Sequence, residues 1–122
     1  DLSLLMAMKD FSLKQHIVEN TLFGNSKGGI YECAIADALY KKGYPLYFYK
    51  NETTKRKIDV MIQKDGVVVP IEVKSGNTRA NSLKSILKMN ADIPYGYKFV
   101  DGNIGVSDDG IITLPLYMIA FI

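Results

Sequence analysis

Hydrophobic positions follow two rhythms along the chain, and the rhythm changes at Pro45. Ile30, Tyr31, Ala34, Ile35, Ala38 and Leu39 recur in pairs three or four residues apart. That spacing predicts an amphipathic helix over 30–42, with Gly43 as its stop. Beyond Pro45 apolar and polar residues alternate, and "LYFYK" (46–50), "KIDVMIQ" (57–63) and "VVVPIEVK" (67–74) read as strands. "NETTKR" is a polar turn. "KDG" (64–66) is a tight three-residue turn that makes the second and third strands a hairpin. "NTRANSLKSILKMN" (77–90) holds a short helix near 81–88, with Leu83, Ile86 and Leu87 on one face. "YGYKFV" (95–100) and "GIITL" (110–114) read as further strands. Upstream, 2–8 and 12–22 read as two short helices, the second opened by Ser12 with Gln15 three residues on, a capping box. "FGNSKGG" (Phe23–Gly29) reads as a loop. A helix, three meandering strands, a helix and a strand predict an α/β fold with a mixed sheet flanked by helices.

Composition narrows the class without naming a partner. The chain has 122 residues, 48% of them hydrophobic, which suits a single domain over 1–122 with a core of its own. Charged residues of both signs are interspersed, so wholesale disorder is not expected. The net charge of +2 identifies no ligand; a basic patch would have to be local. A single cysteine, Cys33, excludes an internal disulfide framework and fits a reducing compartment. No apolar run approaches the ~20 residues of a spanning helix, so no membrane partner and a cytoplasmic location are expected. The chain opens on "DLSLLMAMKD" without an initiator methionine and closes on "LYMIAFI", which reads as a core element. A fragment of a longer protein is expected.

The chemistry gathers on the predicted hairpin. Residues two apart on a strand share a face, so Val69, Ile71 and Val73 point one way, and Glu72 and Lys74 the other. In the second strand Asp59 is expected to oppose Ile58 and Val60 and to face the same cleft as Glu72. Two neighbouring carboxylates repel and one is pushed toward protonation, unless a hard divalent cation such as Mg²⁺ or Mn²⁺ sits between them. That cation would polarise a phosphodiester and lower the pKa of a bound water. Lys74 could orient or deprotonate that water, or neutralise the phosphate in the transition state. Glu32, on the first helix, leans toward the core side and is a further candidate.

An acidic helix residue, then an aspartate on one strand, then Glu-x-Lys on the next, resembles the signature of the PD-(D/E)XK nuclease superfamily, whose core is restriction-endonuclease-like. More closely, "DLSLL", "KGGIYECAIADALYKKG", "LYFYK", "KIDVMI", "PIEVKSG", "SLKSILK" and "ITLPLYMIAFI" resemble one particular module. It is the C-terminal nuclease-like domain, of unknown function, that follows the AAA-type ATPase domain and winged helix in a large family of prokaryotic ATPases. The resemblance covers nearly the whole chain. It implies metal ligands at Asp59 and Glu72, a catalytic lysine at Lys74, a helix acid at Glu32, and ATPase and winged-helix domains upstream in the same chain. Two positions depart from the pattern: Ile58 stands where the proline of the "PD" half would be, and Ser3 where the family has glycine. The implied activity is Mg²⁺-dependent phosphodiester hydrolysis, on DNA before RNA. The alternative is a non-catalytic module that keeps the fold to bind nucleic acid or protein.

Other features are weaker. Lys55, Arg56 and Lys57 lie at a turn beside the acids and are candidate phosphate contacts, as is Arg79, with Lys50, Lys84 and Lys88 as possible extensions. His16 is the only histidine, so neither a zinc site nor a Ser–His–Asp site is expected. Cys33 reads as a small core residue. "GNSKGG" lacks the Gly-x-x-x-x-Gly-Lys-Ser/Thr pattern of a phosphate loop. The tyrosines at 44, 47, 49, 95 and 97 read mostly as strand packing.

Overall fold

The computed structural model describes residues 25–76 and 79–122. Helix α1 (Asn25–Lys41) is followed by strands β1 (Tyr47–Lys50), β2 (Lys57–Lys64) and β3 (Val67–Lys74), and by helix α2 (Asn81–Met89). Strands β4 (Gly96–Val100), β5 (Gly105–Val106) and β6 (Ile111–Pro115) come next, and a 3₁₀ helix (Leu116–Phe121) closes the chain. The helices expected at 2–8 and 12–22, with Ser12, Gln15, His16 and Ser3, lie outside the described residues.

Among the described residues the strands form one six-stranded mixed sheet in the order β1-β2-β3-β4-β6-β5. The pairs β1–β2, β2–β3 and β5–β6 are antiparallel, whereas β3–β4 and β4–β6 are parallel. The expected hairpin is present, but its turn has two residues and not three. Lys64 pairs with Val67, and Asp65 and Gly66 both carry positive φ, 51° and 82°. Two successive positive φ angles make a turn whose twist matches the strands, and Asp-Gly tolerates them.

The sheet carries a core on each face. On one, Ile35 and Leu39 of α1 pack on Val60, Ile62, Val69, Ile71, Val73, Tyr97, Phe99 and Leu114. The 3₁₀ helix joins this side through Leu116, Met118 and Ile119, while Tyr117 and Phe121 stay exposed. The expectation of a closing core element therefore holds for one of its sides. On the other face Leu83 and Ile86 of α2 pack on Ile58 and Ile111. A Cβ on Gly96 would stand 2.6 Å from Leu83 Cδ1 and 3.0 Å from the Pro70 carbonyl oxygen. Leu83 is fully buried, so α2 can lie this close only because that position has no side chain.

Three local readings are corrected. α1 begins at Asn25, five residues before the expected start, so 25–29 are helical and not loop. Gly28 and Gly29 are poor helix formers, but Lys27 anchors this turn, with Nζ 3.2 Å from Asp101 Oδ2 and 5.4 Å from the Tyr31 ring centre. Cys33 is exposed and not core: the buried stripe of α1 runs through Ile35 and Leu39, and position 33 falls on the opposite side. Tyr47, expected to pack, is exposed on the edge strand. The two-residue β5 was not expected. No helix among the described residues is long and apolar enough to cross a membrane.

Candidate functional site

The expected alternation breaks in β2. Ile58 belongs to the α2-side core and Val60 to the α1-side core, so Asp59 does not simply oppose both. The cause is a bulge. Tyr47 pairs with Met61 and Tyr49 with Ile58, so β2 spends one residue more than β1 over the same span. On its other side, the β2–β3 ladder ends at Val60 with Ile71. Beyond that pair the strands fork, and the carboxylate of Asp59 fills the gap. Val73 N–H donates to Asp59 Oδ2 at 2.7 Å. The acid therefore stands against the peptide that joins Glu72 to Val73.

Glu72 is 4% exposed. It lies on the α2 side, alternating with Ile71 and Val73, and the Leu83 N–H in the first turn of α2 donates to its Oε2 at 3.3 Å. Its other oxygen, Oε1, is 2.7 Å from Lys74 Nζ. Burial of a carboxylate demands such partners. Each acid thus has one oxygen on a backbone N–H and the other near an ammonium, since Asp59 Oδ1 lies 3.4 Å from Lys57 Nζ. Lys57 also reaches Glu32 Oε2 at 3.7 Å. Burial, then the charge of Asp59, push the Glu32 carboxyl above its ordinary value, and Lys57 and Lys74 only partly oppose them. Burial alone would lower Lys57, but Glu32 and Asp59 override it and hold the ammonium above its ordinary value.

Glu32, Lys57, Asp59, Glu72 and Lys74 therefore come together at the fork. The rest of the expected basic patch does not. Lys55 pairs with Glu52 at 3.8 Å, and Lys50 with the same residue at 3.1 Å. Arg56 turns toward α2 and donates to Ser85 Oγ, at the rim of a cavity of about 310 Å³. Arg79 is exposed on the approach to α2. Among the described residues no group of three or more His, Cys, Asp or Glu side chains gathers as a metal cluster. The oxygens available to a hard cation are those of Asp59 and Glu72. In chemical terms the fork offers two oriented carboxylates, an ammonium beside each of them and a third acid whose carboxyl holds its proton above the ordinary value.

One residue escaped the sequence reading. Lys98 sits in β4, in register with Glu72 on one side and with Thr113 of β6 on the other. It is 8% exposed. The available cue was a lysine between Tyr97 and Phe99, both of which turn to the α1-side core. A family model described as Domain of unknown function (DUF4143) matches residues 27–119. No curated protein and no solved structure matches the chain.

Proposed function

The chain belongs to the family of the domain of unknown function DUF4143, and from that premise we propose that it is a Mg²⁺- or Mn²⁺-dependent phosphodiesterase module acting on nucleic acid, DNA before RNA. The observation that carries this reading is the 2.7 Å bond from Val73 N–H to Asp59 Oδ2, which holds Asp59 against the peptide that joins Glu72 to Val73, where β2 and β3 part. A restriction-endonuclease-like core, with ATPase and winged-helix domains upstream, belongs to the same proposal and rests on the motif resemblance.

The donor set fits a hard cation. Magnesium is held by one or two carboxylates and keeps several waters, so Asp59 and Glu72 suffice without a third acid. The chemistry such a cation supplies is polarisation of the phosphodiester and a lowered pKa of bound water. The chain's own residues do the rest. Val73 N–H and Leu83 N–H aim the two carboxylates. Lys74, freed from Glu72, would orient the attacking water or, as an ammonium, neutralise the phosphate in flight; it could take the water's proton only after giving up its own. Glu32, raised by burial and by Asp59, exchanges a proton near the site, and Lys57 balances the acids between turnovers.

The test is plasmid and single-strand cleavage in Mg²⁺ or Mn²⁺, with Lys74→Ala beside the parent and with the ATPase joined and absent. Metal-dependent cutting that vanishes in Lys74→Ala is expected. Cutting that survives the substitution, or a parent inert in every arm, sinks the catalytic reading. A non-catalytic binding module is the second reading. It is favoured by the ammonium that each fork acid already has, which balances charge without any cation. Oligonucleotide binding by an inert parent would select it.

A further inference from the structure

Next to the fork, on the α2 side of the sheet, lies a cavity of about 220 Å³. Lys98, Thr113 and Ile111 of the sheet line it, together with Arg79, Lys84 and Ser107. Its charge is one-sided. Lys84 has a partner, Asp109 Oδ2 at 3.4 Å, and Ser107 Oγ donates to the same carboxylate. Asp109 is thereby held below the ordinary carboxylate range, by Ser107 first and then by Lys84. Lys98 has no such partner. The residue as a whole is only 8% exposed, and its ammonium takes part in no ion pair or hydrogen bond among the described residues.

An ammonium buried without a partner is costly. No fully buried side-chain nitrogen or oxygen among the described residues lacks a hydrogen bond. The unpaired Lys98 Nζ must therefore keep an opening, and the cavity it lines is that opening. Arg79, exposed at the mouth, adds a second cation with no partner among the described residues. Thr113 adds a hydroxyl from the neighbouring strand. The volume is several times the ~30 Å³ of a water in the liquid, enough for a tetrahedral oxyanion and part of its hydration.

We propose that this cavity is a phosphoryl-binding site, with Lys98 at its floor, Arg79 at its mouth and the Thr113 hydroxyl as a donor. A guanidinium fork and a point-charge ammonium are the donors that suit phosphate oxygens. Lys98 lies in register with Glu72, one strand spacing of about 4.8 Å away. A phosphate held here therefore belongs to the same substrate strand as the one presented to the fork, a placement that rests on the phosphodiesterase reading. The phosphoryl group comes either from a strand's 5′ end or from an internal diester.

Binding separates this site from the chemistry of the fork. The assay is fluorescence anisotropy of a single-stranded oligonucleotide, with and without a 5′-phosphate, in EDTA, with inorganic phosphate as competitor. Lys98→Met should weaken binding about tenfold and reduce the salt slope by about one; Arg79→Ala should weaken it several-fold. A Lys98-dependent preference for the 5′-phosphorylated strand places a strand end in the cavity, and Lys98-dependence without that preference places an internal diester there. If inorganic phosphate binds through Lys98 but oligonucleotides do not bind at all, the cavity keeps its phosphoryl chemistry and the nucleic-acid reading of the fork falls. If neither substitution changes the affinity for phosphate or oligonucleotide, the proposal is overturned.

Discussion

The fork and the cavity stand side by side in the sheet, yet they handle charge in opposite ways. At the fork every carboxylate lies near an ammonium: Lys57 reaches Asp59 and Glu32, and Lys74 reaches Glu72. In the cavity the ammonium of Lys98, on a residue only 8% exposed, makes no ion pair or hydrogen bond among the described residues. A cluster whose acids already face cations can fold and wait. An unbalanced one is completed by something from outside. On the reading proposed above, the first region would carry the chemistry and the second the grip.

Substitutions should separate the two. The largest effect is expected at the fork. Lys74→Ala should lower metal-dependent cleavage by at least ~100-fold, the scale of a lost proton-transfer group, read in single-turnover assays at saturating substrate. Lys98→Met, read in the same assay, should act chiefly through the substrate concentration needed to saturate. If both variants changed the saturated rate alike, the division between chemistry and grip would be wrong.

Next comes stability. Glu72→Ala removes the acceptor of the Leu83 N–H and the partner of Lys74, and should cost about 1–3 kcal/mol in urea unfolding. Lys98→Met removes an ammonium that makes no ion pair or hydrogen bond among the described residues, and should leave stability unchanged or raise it. Destabilisation by Lys98→Met as large as that by Glu72→Ala would mean that Lys98 is already paired.

A smaller effect is expected in the pH dependence. The folded protein holds the Glu32 proton more tightly than the unfolded chain does. That stabilising contribution is complete below the ordinary value near 4.5 and is lost as pH rises through the raised folded value. Relative to Glu32→Gln, the metal-free parent should therefore lose thermal stability as pH climbs from 4.5 toward neutrality. A flat difference between the two melts across that window would remove Glu32 from the charge cluster. The smallest effect belongs to Lys55, which faces Glu52 and neither site. Lys55→Ala should change stability by no more than ~0.5 kcal/mol and leave oligonucleotide affinity within about twofold, as expected of an exposed pair.

The hairpin was legible because its information is local. Apolar–polar alternation along most of β2 and β3 and the Asp-Gly pair at the tip specify two strands and a tight turn between them, although that turn is one residue shorter than expected. The five fork residues could be named for the same reason: four of them sit on that hairpin, and Glu32 lies on a helix with clear periodicity. The bulge that sends Ile58 and Val60 to different cores was not legible. It is a relation to β1 that no residue of β2 announces. The row Glu72–Lys98–Thr113 was hidden for a stronger reason. It is built by two parallel pairings between segments far apart in the chain, and nothing in the local pattern states which residue will stand beside which. The start of α1 was hidden by Gly28 and Gly29, whose weak propensity is outweighed by a contact with Asp101, distant in sequence.

Gly96 gives the two regions a shared fate. The helix seated over its bare Cα carries the amide that aims Glu72 and, at its start, the chain that brings Arg79 and Lys84 to the cavity mouth. Any side chain added there wedges the helix outward and detunes both regions in one stroke. One missing methyl group thus ties the fork and the cavity together, so that a change at this single position reaches both.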